Sequence, residues 1–218
     1  MQDQNKEMQD QNYVITIGRQ LGSKGVYMGQ RISRHFGFKY LDREILVRSA
    51  EMLHVPESKL QHVEEKSYSI WESFLQTSIY DSPYVPTFYY MPTGRQIFET
   101  QTQIIRKAAR ESSCVVVGRC GSYIFAEHPR HVSVFLHADK EYRIVNAARF
   151  LNISEEEARK EVEKTDKERS RYVRTYTGMN RLDLTQYDIA IDVGKVGFEK
   201  AGDILIDYIQ ARFPQLGK

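Results

Sequence analysis

Glycines at 18, 22 and 25, with Arg19, Gln20, Ser23 and Lys24 between them, follow the apolar run of residues 14–17 in the stretch VITIGRQLGSKGVYMGQRISRHFGFKYLDREI. The chemistry open to this set is the holding of an anion. A loop between a buried strand and a helix turns backbone N–H groups toward a ligand, and the helix start adds favourable partial charge. Glycines permit the close approach and unusual torsions that such a cradle needs. The full phosphate-binding signature, G-x-x-x-x-G-K-[ST], closes on a lysine for the β/γ-phosphates and a hydroxyl for Mg2+. Here Gly25 is followed by Val26 and Tyr27, so that ending is missing and Lys24 precedes the last glycine. Taken alone, the loop is compatible with a phosphate cradle or with a tight structural turn.

Other charged residues stand where apolar runs end. Arg119 follows the run of 115–117. It can offer an acceptor phosphate its bidentate fork, or pair with a surface carboxylate. Asp42 ends the stretch FKYLD, where a carboxylate can orient a hydroxyl or a hydrated Mg2+, or cap a following helix. In the charged segment of about 140–183, Lys164, Lys167, Arg171 and Arg174 recur at intervals of three or four and predict a cationic helix face. Such a face is either solvated surface or part of a closure over a polyphosphate. Phosphoryl transfer uses the latter, because positioned positive groups stabilise the moving charge while closure excludes water.

The elements that would carry these residues are legible from periodicity. Residues 14–17 predict a strand, and Met28, Ile32 and Phe36 predict a helix over about 26–35 that Gly37 ends. FKYLD predicts a second strand. Apolar positions from Ile97 to Ala109 predict a helix that leads into a strand at 115–117, and HVSVFLHA repeats the strand signal over 132–136. Ser154 and Glu157 form a capping-box signature, so a helix is expected to start there and run toward Tyr172. YDIAIDV predicts the last strand, and GFEKAGDILIDYIQARF a helix with Ala201, Ile204, Leu205, Tyr208 and Ile209 facing inward. Strands alternating with helices predict an α/β fold with at least five strands in a mainly parallel sheet, the loop lying at its carboxyl edge.

Composition narrows the setting. At 218 residues and 41% hydrophobic content the chain can bury a substantial core in one domain. Lys and Arg number 31 against 29 Asp and Glu, which gives no general case for a nucleic-acid polymer as partner. Cys114 and Cys120 lack the companions of a structural zinc site and do not resemble a disulfide scaffold. Residues 1–12 read as a polar tail without an apolar signal core, and no run approaches roughly eighteen apolar residues. A soluble, cytoplasmic protein with no membrane partner is expected.

Taken in order, the stretches ITIGRQLGSKG, FKYLDREIL, CVVVGRCGSYI, HVSVFLHADKEYRI, EKTDKERSRYVRTYTG and YDIAIDVGKVGFEKAGDILI resemble the cytidylate kinase-like proteins, relatives of the nucleoside monophosphate kinases, over about 14–209. The resemblance implies a three-layer P-loop α/β core with a helical insertion and a charged lid. It implies one domain over 13–218, in which 46–92 is an acceptor-side or interface insertion and 140–183 a lid-like segment. It also implies transfer of the terminal phosphoryl of ATP to CMP or dCMP with Mg2+. Carried over residue by residue, Gly18, Arg19, Gln20, Gly22, Ser23, Lys24 and Gly25 match the donor-phosphate loop. Asp42 and Arg119 match the acceptor side. Lys24, Arg119, Arg143, Asp166, Arg169 and Arg174 match the charged positions that act on the transferred phosphate. No side chain is assigned as a direct metal ligand.

Two other classes stay open: a nucleotide-binding or regulatory module that kept the fold without turnover, and an interaction protein built on the aromatic segment 70–91. That segment carries Trp71, Phe74, Tyr80, Tyr84, Phe88, Tyr89 and Tyr90 with little charge. It resembles the aromatic enrichment of interfaces, and a homodimer is expected. The same aromatics could instead roof an acceptor pocket.

Overall fold

The computed structural model describes residues 11–54 and 93–217. Along the chain these form strand β1 (Val14–Arg19), helix α1 (Gly25–Phe36), strand β2 (Lys39–Leu41), helix α2 (Arg43–Leu53), helix α3 (Gly94–Glu111), strand β3 (Cys114–Val117) and a short helix α4 (Gly121–Ile124). Strand β4 (His131–His137), helices α5 (Lys140–Leu151) and α6 (Glu155–Thr177), strand β5 (Ile189–Asp192), the short helix α7 (Val193–Val196) and helix α8 (Phe198–Arg212) complete it. The chain divides into two compact units, residues 1–42 with 105–218, and residues 43–104.

The first unit holds a five-stranded sheet in the order β2-β3-β1-β4-β5. Every pairing in it is parallel, with Ile15 beside Val115 and Val132 across the centre. Parallel strands covered on both faces read as near-continuous apolar runs, and β3, CVVV, is buried along its whole length. On one face Ile15, Ile17, Val115, Val117, Val134 and Leu136 share a core with Met28 and Ile32 of α1 and with Ala201, Leu205 and Ile209 of α8. On the other face Gly121 of α4 lies against Thr16 and Val116, at a distance where a Cβ would be in tight contact. The helix α8 buries Ile206 as well as the expected Ala201, Leu205 and Ile209, while Ile204 and Tyr208 are half-buried at the core's edge.

Helices α5 and α6 connect β4 to β5 and make a hairpin with a small core of its own. Ile144, Ala147 and Ala148 of α5 meet Ala158 and Val162 of α6, and Leu21 from the glycine loop packs against them. The start of α6 is the expected capping box: Glu157 N–H donates to Ser154 Oγ at 3.3 Å, and Ser154 N–H donates to Glu157 Oε2 at 3.0 Å. Helix α5 was not expected from the sequence. Its apolar positions are separated by Arg143, Asn146 and Arg149, so the helical period is masked by polar residues that serve another purpose.

In the second unit, α2 overlaps the start of the insertion expected to be helical, and Ser49 Oγ donates back to Ile45 O at 2.6 Å within it. Thr93 and Gln96 bond reciprocally at the start of α3. The aromatic segment 70–91 lies outside the described residues, as does most of the 46–92 insertion. Among the described residues no helix is long and apolar enough to cross a membrane.

Candidate functional site

The loop leaves β1 at its carboxyl end and is pinned from within. Gln20 N–H donates to Leu136 O at 3.0 Å, and Gln20 Oε1 accepts from Ala138 N–H at 3.3 Å. Ser23 is fully buried, and its hydroxyl donates to Gln20 O at 2.8 Å. Ser23 therefore shapes the loop rather than facing its opening. Gly22 has φ 82° and lies directly against the Arg143 backbone, so only a residue without Cβ fits there. Lys24 caps the start of α1 in the left-handed conformation, φ 59°, and its Nζ stands 5.6 Å from the centre of the Phe198 ring. Gly18 passes the rings of Phe135 and Tyr187 too closely for any side chain.

A second tight turn follows β3. Gly118, Arg119 and Cys120 are all left-handed, with φ of 79°, 55° and 55°. Consecutive non-glycine residues in that region store strain, which in proteins gathers at functional sites. The turn places the Arg119 charge where it interacts with Arg19, Asp42 and Tyr172. Asp42, just past β2, accepts from Tyr40 Oη at 3.1 Å.

The helix hairpin supplies the remaining cations. Arg143 of α5 is buried and bonds three ways: Nε to Ala138 O at 3.1 Å, Nη1 to Leu21 O at 3.4 Å, and Nη1 to Asp166 Oδ2 at 2.6 Å. Arg169 Nη1 donates to Arg19 O at 3.1 Å. Arg181, on the segment returning from α6, donates from Nη2 to the same Arg19 carbonyl at 2.9 Å and from Nη1 to Asp166 O at 3.1 Å. Asp166 thus ties α5, α6 and the return segment together, and its Oδ1 also lies 3.5 Å from Leu21 N–H.

Arg19, Arg119, Arg143, Arg169 and Arg181 therefore converge on one edge of the sheet, with Asp42 and Asp166 as the carboxylates among them. Burial lowers the pKa of Arg169 well below the ordinary arginine range, and the charges of Arg19 and Arg181 push it the same way against Asp166 and Asp42. Burial likewise lowers Arg19, Arg119 and Arg181. Desolvated like charges oppose one another unless an anion joins them. A groove of about 980 Å3 opens here, lined by Arg19, Gly22, Lys24, Asn146, Arg169 and Phe198 among others. Its size and its convergent cations suit a nucleotide.

The structure brings together most of the residues singled out from sequence. Gly22, Lys24 and Gly25 edge the groove while Gly18 lies against Phe135 and Tyr187, Arg143, Asp166 and Arg169 link the hairpin to the loop, and Arg119 and Asp42 lie beside Arg19. Arg174 is not drawn in: with Lys164, Lys167 and Arg171 it lies on the exposed face of α6. The reason is the helix's own stripe. Ala158, Val162, Asp166 and Arg169 recur at helical spacing toward the hairpin core and the loop, which turns the expected cationic face to solvent. Arg181 was missed. It belongs to no periodic element, and only its burial and its two carbonyl partners distinguish it. Among the described residues no three or more His, Cys, Asp or Glu side chains are grouped to hold a metal ion.

Residues 14–195 match the cytidylate kinase-like family. A cytidylate kinase from Methanopyrus kandleri is 26% identical over 201 residues, covering 88% of this chain and 90% of that protein. The crystal structure of an uncharacterized protein from Eubacterium ventriosum is similar at a TM-score of 0.67 and 25% identity, over 91% of this chain and 99% of that one. A shikimate kinase from Bacteroides thetaiotaomicron shares the fold at 10% identity and a TM-score of 0.50, over 91% of this chain and 97% of that one.

Proposed function

This chain belongs to the cytidylate kinase-like family, with a nucleotide-kinase-like fold, and from that premise we propose that it transfers the terminal phosphoryl group of ATP to a nucleoside monophosphate, CMP or dCMP first. The observation that carries the proposal is the convergence of Arg19, Arg119, Arg169 and Arg181 on the glycine loop at the carboxyl edge of the sheet. The acceptor is suggested by the Methanopyrus kandleri relative, a cytidylate kinase.

In this reading the loop amides and Lys24 hold the donor phosphates, and Arg119 grips the acceptor phosphate. An acceptor phosphate oxygen attacks the γ-phosphorus as the bond to the β–γ bridging oxygen breaks, leaving ADP and a nucleoside diphosphate. Arg169 and Arg181 face the charge in transit, while Arg143 and Asp166 position them. No strong base is needed, because positioning and electrostatics supply most of the catalysis in phosphoryl transfer. Mg2+, when bound, would offset the charge of the donor phosphates. The residue that suits its hydration shell is Asp42. Val26 offers no hydroxyl, and Ser23 Oγ is engaged with Gln20 O, so the ion would rest mainly on phosphate and water, as Mg2+ commonly does. A cytoplasmic homodimer in which residues 13–218 act as one domain is proposed with this function, and light scattering tests the dimer.

The purified protein, given ATP, Mg2+ and a panel of nucleoside monophosphates, is expected to form ADP and a diphosphate, with CMP or dCMP the best acceptor. Arg119→Ala is expected to raise the acceptor KM and lower turnover by about tenfold or more each. The missing lysine-hydroxyl ending of the loop favours one competing reading, a nucleotide-binding module without turnover. Saturable ATP binding with no ADP formed from any acceptor would establish it instead.

A further inference from the structure

The residue that opens the helix after the loop is Gly25, and neither it nor Val26 after it supplies the lysine with which a phosphate-binding loop ordinarily closes. Nothing in the backbone requires a glycine there, since Gly25 is not among the residues with positive φ. The obstacle is another side chain. A Cβ at position 25 would lie 2.7 Å from Arg19 Cγ and 2.8 Å from Arg19 Cβ. Further along, the Arg19 guanidinium lies against Gly118, where any Cβ would collide with Nη1. Arg19 thus runs over Gly25, across the floor of the loop, to the end of β3.

Three arginines beside it are committed: Arg143, Arg169 and Arg181 each donate to a backbone carbonyl, and Arg143 also to Asp166. The Arg19 guanidinium is different. Among the described residues it donates no hydrogen bond and closes no salt bridge, although the chain surrounds it; only the Asp42 and Tyr40 charges act in its favour, and Arg19 is one of the residues that line the groove. A desolvated guanidinium with idle donors is built to meet an anion.

We propose that Arg19 takes the place of the missing lysine: its guanidinium is the loop's own cation for the β- and γ-phosphates of the donor, and Gly25 and Gly118 stay bare to give it passage. This rests on the phosphotransferase reading for the identity of the donor, and it goes further by exchanging which residue of the loop carries the charge. The two lid arginines fasten to the Arg19 main-chain carbonyl, not to its side chain. Replacing the side chain therefore leaves the link between loop and lid in place.

Inorganic tripolyphosphate, titrated by calorimetry, reads the grip independently of turnover, and thermal melting reports folding. Arg19→Ala, with Arg19→Gln as the variant to use if alanine does not fold, is expected to weaken tripolyphosphate binding about thirtyfold, within the range for a charge-assisted contact. Binding within twofold of the unaltered chain would overturn the proposal. Arg19→Gly combined with Gly25→Lys, which removes the Arg19 Cβ together with the rest of the side chain, restores a cation to the vacated space and is expected to recover most of that loss. A double variant that binds no more tightly than Arg19→Gly alone would overturn the equivalence. The two levels of inference separate cleanly. An unaltered chain that binds tripolyphosphate through Arg19 but forms no ADP sinks phosphoryl transfer and leaves the assignment standing. An active enzyme indifferent to Arg19 does the reverse.

Discussion

Asp166 shows at the scale of one residue how a single charge can position others. Its carboxylate receives Arg143 at 2.6 Å, with the Arg143 side chain only 8% exposed, and Arg181 Nη1 lies 3.7 Å from Oδ1. Removing it leaves a buried guanidinium unpaired, which is far costlier than losing a surface pair. Asp166→Ala is therefore expected to destabilise the protein by about 3 kcal/mol, read from urea unfolding midpoints. Asp166→Asn, which keeps the shape and one acceptor, should cost less. A loss under about 0.5 kcal/mol would place the pair in solvent. At this scale the sequence was a partial guide. Family-like motifs identified Arg143, Asp166 and Arg169, whose roles depend on position along helices. The path of Arg19 past Gly25 to Gly118 depends on the approach of a second loop, and the burial of Arg181 on a return segment without period, so neither is written in local pattern.

At the scale of elements, α6 illustrates what period does and does not reveal. Its start was readable because the capping box is a local exchange of bonds between Ser154 and Glu157. Its inner face was not, because charged residues occupy both sides: Asp166 and Arg169 inward, Lys164 and Lys167 outward. A cation stripe identifies a face only when the apolar stripe opposite is strong, and here Ala158 and Val162 are its only buried members. Ser154→Ala is expected to cost about 1 kcal/mol, measured by thermal unfolding. Lost amide protection in hydrogen exchange should be confined to the first turns of α6, well before Asp166, and nucleotide binding should stay within about twofold of the unaltered chain. Loss of protection reaching Arg169 would show instead that the helix holds together only as a whole.

For the molecule as a whole, the strand order follows from rules that sequence supplies only in part. Alternation of strand and helix required parallel pairing, but that β1 sits between β3 and β4 depends on which helix covers which face. The overall charge is nearly balanced, at 31 basic and 29 acidic residues. Mild acidification therefore acts through individual buried groups before it acts through general repulsion. His131 is such a group. It opens β4 in the sheet, and its Nε2 lies 2.8 Å from Thr16 Oγ1 on β1. Burial is the main force lowering its pKa to about 4, with the His128 charge in the same direction and Asp188 opposing. The unfolded chain has an ordinary histidine titrating near pH 6.5. Between about 6.5 and 4 the unfolded state thus binds a proton that the folded state refuses. The contribution is complete above pH 6.5 and is lost as the pH falls toward 4. At full burial such a gap is worth about 3 kcal/mol, and because the ring keeps some access to water about 2 kcal/mol is expected. Denaturation curves at pH 7 and pH 4.5 give the size of the fall. In His131→Gln, which cannot titrate, that fall should shrink by the same amount, whatever the carboxylates add to both proteins. If the two proteins lose stability in parallel, His131 does not govern the acid sensitivity of this sheet.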